Sequence, residues 1–452
     1  MKFSPFLFLA FLLLSCEPTK EIAKTPSLVP EDLKKHTEEF RKEVITVTEG
    51  IHVAIGYSLA NSMMVEGEKG KIIIDTTGTI ETGREVRAIF DQINPYPIKA
   101  VIYTHNHGDH VFGARAFIDD ENTEVIAHAT TKKYINRILG ILRPIISKRS
   151  SRMFGSAIPE EDFENNGIGP FLEIGKDGRQ TSLVYPTKEF EDNLKLTISG
   201  VDIHLYHAPG ETNDQIFVWL PKFKALFPGD NFYKAFPNLY TIRGTPYRDL
   251  AGWVKSIDKM RYLEPDFLIP SHSRPLEDSQ EILKHLTDYR DAIQFVHDQT
   301  VRLMNKGMTP TEIASEIVLP EHLASSPFLK EFYGTPQWSS KNVFTGYLGW
   351  FDGNPATLNP LPDKEEAKKI IAMAGGWSKV LDEANKAIKE KEFQWALQLT
   401  DYLLLENPNN KEVINIRISS LDSLGEIQAN PNARYYYLSS ADELLPSFIS
   451  PP

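Results

Sequence analysis

Hydrophobic and polar positions alternate from about Val44 onward, and short apolar runs follow. Residues 44–56 read Val-Ile-Thr-Val-Thr-Glu-Gly-Ile-His-Val-Ala-Ile-Gly, and residues 71–75 read Lys-Ile-Ile-Ile-Asp. Such segments predict β-strands, as does the run 98–103. Residues 81–93 instead place apolar side chains at helical spacing, at Val86, Ile89, Phe90 and Ile93. This order of strands and helix predicts an α/β fold in which two sheets pack together and helices cover the outside.

The pattern becomes purely helical after about Gly375. Two apolar stripes follow each other, the first at Val380, Leu381, Ala384 and Ile388, the second at Trp395, Leu399, Tyr402 and Leu403. A polar turn at residues 406–411 separates them from a further apolar stripe. This helix, turn, helix arrangement resembles a tetratricopeptide-type hairpin. We therefore predict a domain at residues 44–375 that carries the chemistry and an all-helical domain at residues 376–446.

The N-terminus has the features of a bacterial lipoprotein signal. One basic residue is followed by a short apolar run and by Leu-Leu-Ser-Cys16, which resembles a lipobox. We predict a signal peptide at residues 1–16, acylation of Cys16, a tether at residues 17–43, and a location on the periplasmic or extracellular face of the cell envelope. An ordinary secretory signal is the alternative. Because Cys16 is the one cysteine, metal ligands must be N and O donors.

The stretch Val101-Ile-Tyr-Thr-His-Asn-His-Gly-Asp-His follows a predicted buried strand. It places His105, His107, Asp109 and His110 within six residues. Buried polar groups without partners cost a few kcal/mol each, and imidazoles and carboxylates are ligands for borderline divalent metals such as Zn²⁺. We therefore predict a metal site here, with a loop of exposed histidines as the alternative.

Three later segments each place a ligand-type side chain in a Gly or Pro turn after an apolar run. They end in Glu211, Asp230 and His272. The whole pattern resembles the metallo-β-lactamase superfamily, whose fold is an αββα sandwich. The resemblance implies two divalent metal ions, most simply Zn²⁺, with Mn²⁺ or Fe²⁺ as alternatives. It implies that His105, His107 and Glu211 hold one ion, that Asp109, His110 and His272 hold the other, and that Asp230 bridges.

Two positions depart from the common pattern of the superfamily. Most members have His where Glu211 stands, whereas Glu is a mark of the alkylsulfatase branch. His207 is the alternative ligand, with Glu211 as its acceptor. Alkylsulfatases usually have Glu at the bridging position, where this sequence has Asp230. Asp75 ends a predicted strand near the site, where it is either an acceptor that orients a ligand histidine or a simple turn residue.

Several longer segments also resemble alkylsulfatases. They are residues 238–244 (Asn-Leu-Tyr-Thr-Ile-Arg-Gly), Arg248-Asp249, residues 297–307 and residues 347–362. A planar guanidinium can pair with two oxygens of a sulfate ester, which makes Arg243 the main candidate for substrate binding. The other candidates are Asn238, Tyr240, Thr241 and Arg248. The alternative is that the arginines are surface residues paired with Asp249 or Glu264.

Charge narrows the range of partners. The formal net charge is −12, and no Lys/Arg-rich run is present, so we expect no nucleic-acid partner. This net charge repels a sulfate ester at long range, which is why a local cation is needed. Residues 130–185, with Arg143, Lys148, Arg149 and Arg152, are expected to form a wall or lid of the substrate pocket, or else a solvated helix face.

The sequence thus predicts a dinuclear metal hydrolase of alkyl sulfate monoesters, with Asp109, Asp230 and Arg243 as catalytic residues. Asp109 is the candidate acceptor for a proton from the attacking water. The resemblance implies a homodimer formed by the helical domain. Alkylsulfatases usually carry a further C-terminal sterol-carrier-like module, which we do not expect in this sequence. The preferred length of the alkyl chain therefore stays open. The sequence also does not distinguish S–O cleavage from C–O cleavage. The alternatives are a lactonase, a β-lactamase or a phosphodiesterase, and a non-catalytic lipoprotein with structural metal.

Overall fold

The computed structural model describes residues 29–445. The predicted signal peptide with Cys16 and residues 17–28 of the predicted tether lie outside the described residues. Seven strands form the first sheet in sequence order: β1 (Glu43–Thr48), β2 (Ile51–Ile55), β3 (Ser62–Glu66), β4 (Lys71–Ile74), β5 (Ile98–Ile102), β6 (Glu124–His128) and β7 (Lys188–Phe190). Strands β1 to β4 pair antiparallel, and β4 to β7 pair parallel.

The second sheet has six strands in the order β13-β12-β11-β10-β9-β8. These are β8 (Asn193–Ile198), β9 (Val201–His207), β10 (Ile216–Leu220), β11 (Ala225–Phe227), β12 (Phe267–Leu268) and β13 (Leu276–Glu277). Only β11 and β12 pair in parallel in this sheet, as the described residues show. The parallel pair matters for the site because its two strands end at the same edge.

Sixteen helices lie within the described range. They are α1 (Glu31–His36), α2 (Ile80–Ile93), α3 (Gly108–Val111), α4 (Thr131–Asn136), α5 (Arg143–Met153), α6 (Leu250–Arg261), α7 (Ser279–Met304), α8 (Pro310–Glu316), α9 (Glu321–Ala324), α10 (Pro336–Leu348), α11 (Pro355–Leu358), α12 (Asp363–Met373), α13 (Trp377–Lys389), α14 (Phe393–Glu406), α15 (Lys411–Glu426) and α16 (Pro431–Asp442). A π-helical turn, Arg137–Ile141, connects α4 to α5. None of the helices of residues 29–445 has the combination of length and hydropathy that crossing a bilayer requires.

The two sheets pack face to face over one apolar layer. Side chains from both sheets meet there, including Val53, Ile72 and Ile102 from the first and Val218 and Phe227 from the second. On the outer faces, α2 covers the first sheet, and α6 and α7 cover the second. Because β2, β4 and most of β5 are buried on both faces, their sequences read as continuous apolar runs. The predicted αββα sandwich is confirmed.

Part of the predicted tether is folded, so that prediction is wrong for residues 31–43. Leu33, His36 and Phe40 are buried, and His36 Nε2 lies 2.7 Å from the carbonyl oxygen of Gly167. The few apolar residues of this segment are separated by charged residues, a composition that is typical of a solvated linker.

The helical part also begins earlier than predicted. Ile371 of α12 shares a core with Val380, Leu399, Leu403 and Val413 of the following three helices. The predicted start at residue 376 therefore cuts through one packed unit, because the glycine pair between α12 and α13 is a tight connection and not a domain boundary. The last helix, α16, packs against α15 on one side and against α5 of the sandwich domain on the other.

Candidate metal centre

The predicted ligands all follow strand ends and converge at one edge of the sandwich. His105 and His107 follow β5, and Asp109 and His110 lie in α3, the single helical turn after them. Glu211 lies in the turn between β9 and β10. Asp230 and His272 come shortly after the parallel pair β11 and β12. Because the carboxyl ends of adjacent parallel strands meet at one edge, residues far apart in sequence become neighbours.

These side chains form two groups of possible metal ligands. In the first group, ligand atoms of His105, His107 and Asp230 lie within 4.8 Å of one another, and in the second those of Asp109, His110 and His272 do. Asp230 faces both groups. Its Oδ2 is 3.5 Å from His105 Nε2, and its Oδ1 is 3.5 Å from His110 Nε2 and 3.3 Å from His272 Nε2. This placement matches the bridging position expected for Asp230.

The centre contains buried polar atoms that have no hydrogen-bond partner within the described chain. They are His105 Nε2, His110 Nε2, His272 Nε2, Asp230 Oδ1 and Glu211 Oε2. Each such atom costs about 1–3 kcal/mol if nothing satisfies it. Nitrogen lone pairs and carboxylate oxygens facing one another are the donor set of Zn²⁺ and similar ions. The residues present therefore fit divalent metal ions.

The opposite ring nitrogens of these histidines are already used. His110 Nδ1 donates to Asp75 Oδ2 at 2.8 Å, and His272 Nδ1 donates to the carbonyl oxygen of Leu59 at 2.9 Å. His105 Nδ1 lies 3.0 Å from the hydroxyl of Thr104, whose own proton goes to Asp75. With the proton on Nδ1, each Nε2 presents a lone pair to the centre, as metal-binding histidines require.

Asp75 is therefore an acceptor that orients a ligand, as one of the two sequence interpretations proposed. It also accepts from the Thr104 amide and hydroxyl, both at 2.9 Å, and from the Ser271 hydroxyl at 2.8 Å. Sequence reasoning missed Thr104 and Ser271. The signal that could have found them is position, because each immediately precedes a ligand histidine.

Burial and the clustered carboxylates shift the pKa values of the histidines at the centre. Burial lowers the pKa of His105 and His107 well below the usual value, which keeps them neutral. Burial also opposes charge on His110, yet the carboxylates of Asp230, Asp109 and Asp75 raise its pKa well above the usual value. This excess of negative charge is what a divalent cation would balance.

Glu211 and His207, the two candidates for the turn ligand, occupy different environments. Glu211 is 2% exposed, and burial raises its pKa to about 7 despite the nearby Arg248 guanidinium. His207 stacks on His128 with ring centroids 4.0 Å apart, and its Nε2 is 2.9 Å from the carbonyl oxygen of Asn213. Neither His207 nor Glu211 belongs to the two ligand groups of the described chain, so the structure does not bring Glu211 together with His105 and His107 as predicted. Glu211 differs from His207 in that one of its carboxylate oxygens is buried and unpaired.

The two arginines have different surroundings. Arg248 is 1% exposed, and its Nη1 donates to Glu211 Oε1 at 2.9 Å and to the carbonyl oxygen of Asn238. Arg243 lies with Nη2 3.1 Å from His107 Nε2. Neither is a surface arginine, and Asp249 instead caps α6 by accepting from the Ala251 amide. Arg248 is therefore placed to hold Glu211, and Arg243 is placed beside the ligand groups.

A cavity of about 240 Å³ opens next to Arg243. Arg243, Arg248, Glu211 and His107 line it. Residues of the predicted lid also line it, namely Tyr134, Arg137, Ile138, Leu142, Ile145, Ile146 and Arg149. The segment 130–185 thus supplies a pocket wall, as expected. Of its cations, Arg149 reaches the cavity, while Arg152 pairs with Glu443.

The remaining predicted substrate residues do not line this cavity. Asn238 is buried, and neither atom of its side-chain amide has a hydrogen-bond partner in the described chain. The Thr241 hydroxyl donates to Met153 Sδ at 3.2 Å, and Tyr240 is half-buried. Arg137 and Tyr247 line the cavity instead, and sequence reasoning missed both because no motif marks them.

Comparison with known proteins gives the family. The profile of the metallo-beta-lactamase superfamily matches residues 55–272, and the profile described as alkyl sulfatase dimerisation matches residues 309–446. The chain is 38% identical over 390 residues to a linear primary-alkylsulfatase of Pseudomonas sp. (strain ATCC 19151), covering 84% of this chain and 73% of that protein.

Two further relatives are also alkylsulfatases by name. The chain is 31% identical to an alkyl/aryl-sulfatase of Saccharomyces cerevisiae, covering 88% of this chain and 63% of that protein. It superposes on the solved structure of the stereoselective inverting sec-alkylsulfatase Pisa1 from Pseudomonas sp. with a TM-score of 0.87 and 29% identity, covering 93% of this chain and 69% of that one. The predicted family is thereby confirmed, and this chain belongs to the alkylsulfatases of the metallo-β-lactamase superfamily.

Proposed function

We propose that the chain hydrolyses alkyl sulfate monoesters to an alcohol and sulfate at a dinuclear metal centre, with Zn²⁺ as the metal. The observation that carries this proposal is the position of Arg243. Its guanidinium lies beside the ligand His107 and faces a cavity with several aliphatic side chains. A half-buried cation next to aliphatic side chains complements a molecule that has a small anionic head and an alkyl chain.

Arg243 would pair with oxygens of the sulfate group. Its side chain is half-buried, so a charge-assisted pair formed there is worth more than the same pair in bulk water. The Arg137 and Arg149 side chains, which also line the cavity, add positive charge where an anionic substrate enters. This local charge offsets the long-range repulsion from a chain with net charge −12.

The ligand residues would hold the ions in the arrangement that the sequence implied. Asp230 would bridge, Glu211 would complete the site of His105 and His107, and Arg248 would fix the Glu211 carboxylate. The bound metals supply Lewis-acid activation of water at neutral pH. Burial opposes ionisation of Asp109, but His110 holds the pKa of its carboxyl at about 2. Asp109 is therefore ionised at neutral pH, which is the form that a metal ligand needs.

The aliphatic residues that line the cavity indicate a substrate with an alkyl chain. Ile138, Leu142, Ile145 and Ile146 come from one continuous stretch of chain and line the same cavity as Arg243. An alkyl chain laid against them leaves water at a gain of about 25 cal/mol per Å² of apolar surface. A neutral lactone would leave the arginines of the cavity without an anionic partner.

We further propose that the protein is a homodimer. An exposed apolar set lies in the region that matches the dimerisation profile, between the end of α10 and α12. Its members are Tyr347, Leu348, Trp350, Leu358, Leu361 and Met373. Trp350 is 74% exposed and Met373 is 79% exposed. So many exposed apolar side chains in one segment are typical of a protein–protein contact, and a second copy of this chain is the partner we propose.

We also propose that Cys16 carries a lipid that anchors the protein to the bacterial cell envelope on its periplasmic or extracellular face. The support is the sequence of residues 1–16, which lies outside the described residues.

Replacing Glu211 and His207 separately should decide the turn ligand. We expect Glu211→Ala to retain about one metal ion per chain and His207→Ala to retain about two, because only the Glu211 carboxylate faces the centre. Elemental analysis of the purified variants after dialysis measures this directly. If His207→Ala loses an ion and Glu211→Ala does not, the assignment is reversed.

Arg243→Ala should reduce kcat/KM for an alkyl sulfate by about 10²- to 10³-fold, because a buried charge-assisted pair with the sulfate is lost. Arg243→Lys should recover only part of this loss, since lysine cannot pair with two oxygens in a planar fork. Sulfate release from primary and secondary alkyl sulfates is the measurement, with metal content as the control.

The same assay should include a lactone, a β-lactam and a bis-phosphoester. Turnover of one of these without any sulfate release contradicts the proposal. Bound metal and a stable fold without turnover of any ester supports the non-catalytic alternative.

Trp350→Asp should convert the proposed dimer into a monomer, because a buried carboxylate in an apolar interface has no partner. Light scattering coupled to size-exclusion chromatography gives the mass. Tyr262→Asp is a matched control, because Tyr262 is 83% exposed and lies directly after α6, outside the region of the dimerisation profile. A dimer that persists in Trp350→Asp, or a wild-type monomer, argues against this interface.

Cys16→Ser should abolish incorporation of radiolabelled palmitate and release the protein from the membrane fraction of a bacterial host. Labelling that persists in the variant, or a wild-type protein that is never labelled, contradicts the lipid anchor.

A further inference from the structure

One face of α5 lies along the segment that carries Arg243. Met153 Sδ accepts from the Thr241 hydroxyl at 3.2 Å, and Arg149 Nε donates to the carbonyl oxygen of Ile242 at 3.1 Å. Ile146 packs beneath Gly244, where a Cβ would lie 3.4 Å from its Cδ1. Ile146, Arg149 and Met153 are three and four residues apart and so share one helical face. These contacts fix the backbone on both sides of Arg243.

A different side chain of α5 is held by α16, the last helix of the described chain. Arg152 Nε lies 2.7 Å from Glu443 Oε1, and its Nη2 lies 2.5 Å from Oε2, which is a bidentate pair. The same guanidinium is 5.7 Å from the ring centroid of Tyr436. The Ser439 hydroxyl donates to the carbonyl oxygen of Arg152 at 3.5 Å. Three side chains at the end of the helical part thus converge on Arg152, a residue of α5 that lies outside the cavity lining.

Few other packing contacts stabilise the position of helix α5. Met153 is the one fully buried residue among its eleven, and the π-helical turn before it, Arg137–Ile141, buries none of its side chains. Ile145 is 52% exposed. Short helices in water are marginal without tertiary packing, so the position of α5 must depend on the contacts at its two flanks.

We propose that α16 positions the substrate-binding arginine. By holding Arg152, Glu443 fixes α5, and α5 in turn fixes the backbone from Thr241 to Gly244, so that the Arg243 guanidinium stays in place for the sulfate group. Glu443 is a positioning residue, since it lies outside the cavity lining and acts only through Arg152 and α5. The inference rests on the proposed function for the role of Arg243. It gives the helical part, matched as a dimerisation region, a second role in the active site.

The test compares Glu443→Ala with a matched control in the same helical part. Asp401→Ala removes an ion pair of the same type, in which Arg417 Nη1 lies 2.6 Å from Asp401 Oδ1, between α14 and α15 and away from α5. We expect Glu443→Ala to raise KM for an alkyl sulfate about three- to tenfold while kcat changes less than about twofold, because substrate placement is affected and the metal ligands are not. Asp401→Ala should leave both parameters unchanged.

Two further measurements separate positioning from general destabilisation. In an Arg243→Ala background, Glu443→Ala should cause no further loss of kcat/KM, because its effect passes through Arg243. The exchanged pair Arg152→Glu with Glu443→Arg should recover most of the wild-type KM. Hydrogen–deuterium exchange of the amides of α5 and of residues 241–244 should be faster in Glu443→Ala than in the wild type and unchanged in Asp401→Ala.

An unchanged KM together with unchanged exchange in Glu443→Ala overturns the inference, and so does an equal effect of Asp401→Ala. The exchange measurement does not need activity. If the wild-type protein releases no sulfate, the proposed function fails, and exchange alone then decides whether α16 holds α5: faster exchange in Glu443→Ala supports the inference and unchanged exchange overturns it.

Discussion

Buried polar atoms from four separate segments of the chain face one another without hydrogen-bond partners, and much of the fold is arranged around that constraint. His105 and His110, Glu211, Asp230 and His272 each leave an atom unsatisfied at the same place. Together such atoms would cost several kcal/mol in the folded state. Divalent ions would remove this cost, and the surrounding hydrogen bonds orient the side chains for them. Asp75, Thr104 and Leu59 hold the opposite ring nitrogens, so the lone pairs can point only inward.

The same constraint explains how charge is distributed in an acidic protein. Arg248 forms an ion pair with Glu211 inside the fold. Arg243 is therefore the cation at the boundary between the candidate metal ligands and the cavity. In the proposed function, the guanidinium at that boundary pairs with the sulfate group and the aliphatic side chains of the same cavity contact the alkyl chain. The pocket wall is also where the two parts of the molecule meet, since α5 lies between the Arg243 segment and α16.

Much of this arrangement follows from sequence patterns that are local. The sandwich was predictable because doubly buried strands such as β4 read as apolar runs, and the ligands were predictable because each follows such a run in a tight turn. Contacts between distant segments were not predictable. Nothing in the residues near Arg248 indicates that it reaches Glu211, and Arg152 and Glu443 are almost three hundred positions apart. The folded state of residues 31–43 was missed because three buried side chains are spread among charged ones, and charged helices look like linkers until a partner surface is known.

The central claim is that two metal ions, held by the ligands at the sheet edge, make this chain a sulfuric ester hydrolase. Titration of a divalent metal into fully chelated protein, with release of inorganic sulfate from an alkyl sulfate as the readout, tests it most directly. The account predicts no turnover without metal and a rise that saturates at about two equivalents per chain. Sulfate release by the metal-free protein, or full metal loading without any sulfate release, would contradict it.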